Sequence, residues 1–140
     1  ALPISVKTAE TRPLKTEDDI ALVRSSVKRV VALLNFSLVN QTKIITAASE
    51  LARNTIEHGK GGQAEIQVVD DADKIGVRLI FADDGPGIAD TDQALEDGYT
   101  TGKGMGLGLG GARRLMDQFS LESHEGKGTK VSITKWQEKI

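Results

Sequence analysis

The chain has 140 residues, enough for one domain (1–140) with a substantial core and too few for two. A net charge of −2 offers no electrostatic basis for binding nucleic acid or an anionic membrane, and the lack of cysteine excludes disulfides and thiolate chemistry. No apolar run approaches the roughly 20 residues of a membrane span and no basic-then-apolar leader opens the sequence. A cytoplasmic protein is therefore expected, with Ala1 in place of Met keeping open a domain cut from a longer chain.

Ile4, Val6 and Thr8 alternate with polar residues and predict a short first strand ahead of Pro13. Thr16 and Asp19 stand in a capping-box relation. Ile20, Val23, Val27, Val30, Val31 and Leu34 then recur at helical spacing, which predicts a helix of roughly 18 residues with one buried stripe. Asn35-Phe36-Ser37 interrupts it. Ser37 is placed to cap a second helix from Leu38 to His58, which Gly59 ends. Two strand-like runs, Gln63 to Asp70 and Ile75 to Ala82, are joined by four polar-turn positions and so predict an antiparallel hairpin. After Asp83 to Ile88 a polar segment with few core-forming residues runs to Lys103. Then follow a helix from Leu109 to Phe119, a strand near Leu121, a turn over Glu125 to Gly128 and a last strand from Thr129 to Trp136. Helices and strands come in blocks, which predicts an α+β two-layer sandwich: a mixed, mostly antiparallel sheet covered on one face by three helices.

Three stretches carry candidate chemistry. Gly98 to Gly111, GYTTGKGMGLGLGG, is half glycine and opens onto a helix-like run. Exposed N–H groups at a helix N-terminus favour an anion, so the stretch reads as a phosphate-binding loop, with a flexible surface loop as the alternative. Gly106, Gly108 and Gly111 match G-x-G-x-x-G, but no strand precedes them as a dinucleotide fingerprint requires. The P-loop pattern fails as well, because Gly98 to Lys103 is one residue short and Gly104 stands where Ser or Thr binds magnesium. Few apolar contacts are available to this region, so residues 90–104 are expected to be mobile without nucleotide and ordered by bound phosphates.

Glu50 and Asn54 stand at i, i+4 on the second helix and share a face. A carboxylate and a carboxamide supply hard oxygen ligands suited to magnesium, or a base for an attacking hydroxyl; the alternative is a solvated helix face. His58, in the last helical turn, is accounted for by the helix dipole. Asp83 to Gly87 leaves the end of an apolar strand. A half-buried carboxylate there needs a hydrogen-bond partner such as a purine amino group, and Gly85 and Gly87 let a flat ligand approach the backbone. The same residues also suit a plain type I or II turn.

The set in order, ELARN, DDGPGI, GKGMGLGLGG and GKGTKVSIT, resembles the GHKL or Bergerat-fold ATP-binding superfamily, most clearly from Ser37 to Lys135. The resemblance implies ATP and Mg²⁺ as cofactors. It implies that Asn54 is the magnesium-binding residue, that Asp83 hydrogen-bonds the adenine amino group, and that Gly85, Gly87 and Ile88 flank the base. Lys103, Gly104, Met105, Gly106, Leu107 and Gly108 are similar to the box that holds the phosphates, and Thr129 to the threonine beside the adenine.

Glu50, and Glu57 where histidine kinases of the superfamily carry lysine, set the chain apart from those kinases. The combination SELARN, DDGPGI, GLGLGGARRLMDQF and GKGT looks most like the small RsbT-type switch kinases, more than the RsbW-type anti-sigma factors. That likeness implies a serine/threonine kinase acting on a STAS-domain protein, with Glu50 orienting or deprotonating the acceptor hydroxyl. It also implies a PP2C-type phosphatase or a stressosome complex as a further partner, and neither nucleic acid nor membrane. A nucleotide-gated module that activates a phosphatase or sequesters a sigma factor is the alternative. The acidic stretch Asp90, Asp92, Glu96 and Asp97 is read as solvation, or as partner recognition.

Overall fold

A computed structural model describes residues 4–88, 90–95 and 108–138. Its elements are β1 (Ser5–Leu14), α1 (Glu17–Leu33), α2 (Leu38–Glu57), β2 (Gly62–Asp71), β3 (Lys74–Asp83), the short turn of helix α3 (Thr91–Ala94), α4 (Gly108–Leu115), β4 (Gln118–Ser123) and β5 (Thr129–Glu138). The strands form a five-stranded sheet in the order β1-β2-β3-β5-β4. Every pairing is antiparallel, so the parallel component expected in a mixed sheet is absent among the described residues. No described helix is long and apolar enough to cross a membrane.

The two long helices form where their spacing predicts. Ile20, Val23, Val27 and Val31 of α1 are buried, and Asp19 Oδ2 accepts from the backbone N–H of Lys15 at 2.8 Å and Thr16 at 3.0 Å, closing the helix start. Those two backbone donors hold the Asp19 carboxyl below its usual range. Ser37 caps α2 by accepting from the Asn40 N–H at 3.1 Å. Helix α2 packs against both α1 and α4 and lays Ile44, Ala48 and Leu51 on Leu79, Phe81, Val131 and Ile133 of the sheet. Among the described residues, no helix lies on the opposite face of the sheet. There Trp136 lies over Gly76, where a Cβ would come within 2.8 Å of the indole ring, and its Nε1 donates to Gln118 at 2.9 Å.

Three elements differ from the sequence reading. β1 runs through Pro13 to Leu14, because an edge strand tolerates the missing N–H. A register irregularity between Val6 and Thr8 leaves Ile4 and Val6 exposed, so the strand's part under α1 presents Glu10, Arg12 and Leu14 rather than the apolar pair. Helix α4 stops at Leu115, not Phe119. Lys135 Nζ donates to the Leu115 carbonyl at 3.1 Å, while Asp117 accepts from the Trp136 N–H at 2.8 Å and donates its own N–H to Thr134. β5 thus captures the chain, and Phe119 becomes the partner of Ile133 in β4. The short α3, capped by Asp90 Oδ1 accepting from Gln93 N–H at 2.9 Å, lies within a stretch read as irregular and buries Ala94. Residues 96–104 of the stretch expected to be mobile lie outside the described residues.

The seam between β1 and α1 is polar. The buried Ser26 hydroxyl donates to Glu10 Oε2 at 2.8 Å, Arg12 Nε lies 3.0 Å from the same oxygen, and Arg29 pairs with Oε1. Ser26 first, then Arg29 and Arg12, hold the Glu10 carboxyl below its ordinary value of 4.5 against the opposing effect of burial. A lowered folded-state pKa contributes stability that is complete above the unfolded value and lost as pH falls through the folded one. Glu10→Gln is therefore expected to destabilise the fold by about 1 kcal/mol at neutral pH, with the deficit vanishing on acidification. Denaturant titrations at pH 7 and in steps below pH 4.5 measure it; a deficit that persists unchanged into acid contradicts the assignment.

Candidate nucleotide site

One cavity of about 400 Å³ opens between α2, the ends of β3 and β5, α3 and the start of α4. Its size suits a small organic ligand. Helix α2 supplies one wall through Leu51, Asn54, Thr55 and His58, residues at i, i+3, i+4 and i+7 on a single stripe. Phe81 and Val131 form an apolar floor, and Ile88, Ala94 and Leu109 close the far side. Polar groups are few: Asn54, His58, Asp83, Asp90, Gln93 and Thr129 reach the lining, and the Thr55 hydroxyl there donates to the Leu51 carbonyl.

Asp83 is the last residue of β3, opposite Thr129 in the β3–β5 ladder, so both side chains stand at one end of the floor. Asp83 Oδ1 accepts from the Gly85 N–H at 2.8 Å, which turns the chain and leaves the rest of the carboxylate for other donors. The turn is braced on both sides. A Cβ at Gly59 would overlap the Asp83 carboxyl group, and one at Gly85 would come within 2.7 Å of the Gly59 carbonyl. On the other side, Gly87 at φ +75° leaves no room for a Cβ beside the His124 carbonyl, and Gly128 at φ +83° lies against the Asp83 carbonyl. Gly126 N–H donates to the Pro86 carbonyl at 2.6 Å.

Of the predicted site residues, Asn54, Asp83, Gly87, Ile88, Gly108 and Thr129 meet in this cavity. Gly85 stands one step behind the lining, in the turn that holds Asp83. Lys103, Gly104, Met105, Gly106 and Leu107 lie outside the described residues. Glu50 is not part of the lining; it continues the α2 stripe one turn before Asn54. It is 6% exposed, so its stem is covered rather than on an open helix face, and its carboxylate oxygens are not among the buried unpartnered atoms of the described residues. His58 faces the cavity as well as ending the helix. Gly59, Thr55, Phe81, Gln93 and Val131 escaped sequence reasoning. Gly59 had a signal, but only that of a helix stop; its contact with Asp83 is not local.

Residues 39–139 match the family described as Histidine kinase-, DNA gyrase B-, and HSP90-like ATPase. The chain belongs to that family. Its sequence is 45% identical over 123 residues to the serine/threonine-protein kinase RsbT of Bacillus subtilis, covering 88% of this chain and 92% of that protein. It is 32% identical over 128 residues to the anti-sigma F factor of Clostridium beijerinckii, covering 86% and 87% of the two chains. Among solved structures, the RsbU and RsbW domains of a Mycobacterium tuberculosis protein superpose with a TM-score of 0.61 at 18% identity, over 92% of this chain and 32% of that longer one. That likeness confirms the fold. The sequence relationship makes this chain a nucleotide-using ATPase-family domain related to partner-switching regulators.

The braced turn makes a sharp expectation. Gly59→Ala places a methyl group against the Asp83 carboxyl and must push it out of its seat. Overpacking of this kind costs about 1–3 kcal/mol. ATP affinity is expected to fall by tenfold or more, on the scale of a lost hydrogen bond to a charged group. Calorimetric titration of the folded variant measures this, and wild-type affinity would show that Asp83 does not contact the ligand.

Proposed function

We propose that this chain is a cytoplasmic serine/threonine protein kinase of a bacterial partner-switching pathway, which transfers the γ-phosphoryl group of ATP to a Ser or Thr hydroxyl of a STAS-domain protein. The observation that carries the proposal is Glu50. Glu50 is 6% exposed, its carboxylate oxygens are not among the buried unpartnered atoms, and it stands a helical turn from the cavity residue Asn54, in a chain 45% identical to a serine/threonine kinase. A carboxylate close to the cavity is placed to act on an acceptor hydroxyl.

The roles follow from position. Asp83 accepts from the adenine amino group, with Thr129 beside it and Phe81 and Val131 against the ring. Asn54 offers one oxygen to Mg²⁺. No group of three or more carboxylate, His or Cys side chains converges among the described residues, so the remaining ligands would be phosphate oxygens and water, as magnesium commonly takes. The ion would supply neutralisation of phosphate charge. Lys103 and the segment to Gly108 hold the phosphates in this reading, with Gly108 already at the cavity wall. Glu50 orients the acceptor hydroxyl and takes its proton, so that positioning and charge do most of the catalysis. A second reading, a nucleotide-gated module that activates a PP2C-type phosphatase or holds a sigma factor, is favoured by the likeness to proteins named anti-sigma F factor. Binding of a partner without transfer would distinguish it.

Incubation with labelled ATP, Mg²⁺ and a panel of STAS-domain proteins tests the main reading. Glu50→Gln is expected to slow transfer by roughly 10²–10⁴-fold while ATP affinity stays unchanged. Transfer at the wild-type rate removes Glu50 from the chemistry. Asp83→Asn replaces one acceptor oxygen by an amide that faces the adenine amino group, and is expected to weaken ATP binding by about 1.5–3 kcal/mol. An unaltered dissociation constant for that variant would place the base elsewhere.

A further inference from the structure

Asp83, Thr129 and Ser123 form one row across three neighbouring strands. Asp83 pairs with Thr129 in the β3–β5 ladder, and Thr129 with Ser123 in the β4–β5 ladder. Ser123 does not line the cavity, yet its hydroxyl has three polar neighbours. The Ile88 N–H donates to Ser123 Oγ at 2.7 Å, the Gly128 carbonyl oxygen lies at 3.1 Å, and Thr129 Oγ1 lies at 2.8 Å.

A serine hydroxyl has one proton and two lone pairs, which determines how these contacts are shared. The Ile88 N–H occupies one lone pair. The Gly128 carbonyl can only accept, so the serine proton goes to it; a proton placed on Thr129 instead would leave oxygen lone pairs facing each other across the Gly128 contact. The second lone pair of Ser123 then receives the Thr129 proton. Three contacts match three valences in one arrangement. Thr129 therefore directs its only proton away from the cavity, and its oxygen can only accept there. The Asp83 carboxylate beside it is also an acceptor.

We infer that Ser123 is a specificity-determining positioning residue. By holding the Thr129 hydroxyl as an acceptor, it completes an acceptor-only wall that selects a purine with an exocyclic amino group over one with a keto oxygen at the same place. This deepens the nucleotide reading above and rests on it. An amino group brings two N–H donors, one for each acceptor. A keto oxygen sets its own lone pairs against both, and buried polar groups left so mismatched discriminate strongly. Removing the Ser123 hydroxyl frees the Thr129 O–H to rotate and donate to the keto oxygen, which relaxes the choice.

The test compares ATP with inosine triphosphate in calorimetric titrations of the wild type, Ser123→Ala, Ser123→Thr and Thr129→Val. In inosine triphosphate the amino group becomes a keto oxygen and N1 gains a proton; that second change is common to all variants and cancels when their ATP-to-inosine-triphosphate ratios are compared. The wild type is expected to prefer ATP. In Ser123→Ala and in Thr129→Val the ratio of the two dissociation constants is expected to narrow by about threefold to tenfold, the scale of one neutral hydrogen bond. Ser123→Thr keeps the hydroxyl and is expected to restore the wild-type ratio. A merely structural serine would weaken both nucleotides by the same factor, so an unmoved ratio in folded Ser123→Ala overturns the inference. Should that variant fail to fold, a wild-type ratio in Thr129→Val overturns it instead. No ATP binding by the wild type would sink the nucleotide reading and this inference together, whereas ATP binding with an unmoved ratio sinks this inference alone.

Discussion

The turn from Asp83 to Gly87 is wedged between two other pieces of backbone, and the space it occupies is that of a chain without Cβ atoms. Gly59 at the end of α2 presses on the Asp83 carboxyl group and on Gly85 from one side. From the other, the β4–β5 turn meets Gly87 and the Asp83 carbonyl through His124 and Gly128. The opposing atoms are mostly main-chain atoms, which cannot swing aside as a flexible side chain can. The consequence is a carboxylate seated before any ligand arrives. Its orientation is set by the Gly85 N–H and by packing, so little ordering remains to be done when a base binds.

Helix α2 links that seat to the rest of the chemistry. Its Ile44, Ala47 and Ala48 fill the core, and its last two turns wall the cavity through Leu51, Asn54, Thr55 and His58. A helix held from α1, from α4 and from the sheet cannot roll without disturbing all three contacts. Asn54 and Glu50 therefore keep a defined relation to Asp83. Glu50 is a largely buried residue whose carboxylate oxygens are not among the buried unpartnered atoms, so the helix covers its stem and leaves its charged end accessible.

Polar order extends beyond the cavity. The Glu10–Ser26–Arg12–Arg29 group closes the β1–α1 seam with hydrogen bonds where an apolar contact would serve equally well for stability. Lys135 and Asp117 do similar work at the end of α4, joining to β5 the helix whose first residues, Gly108 and Leu109, stand at the cavity. The C-terminal end of that helix is thereby tied to the strand that carries Thr129.

Much of this was legible in the residues alone. The 3.6-residue stripe of α1, the Ser37 cap, the β2–β3 hairpin and the position of Asp83 at a strand end are local, and local spacing is what a linear sequence displays. Of the residues that the ordered motifs singled out, Asn54, Asp83, Gly87, Ile88, Gly108 and Thr129 line one cavity, with Gly85 in the turn behind it. The tertiary structure decided the rest. The polar underside of β1 depends on a register irregularity against β2, and the early end of α4 depends on capture by β5. Gly59 reads as a helix stop until Asp83 is seen against it, and Ser123 reads as an ordinary strand residue until it is placed beside Thr129, Gly128 and Ile88. Each of these rests on a close approach between residues distant in the chain, and periodicity and turn chemistry carry no signal for a neighbour that only folding supplies.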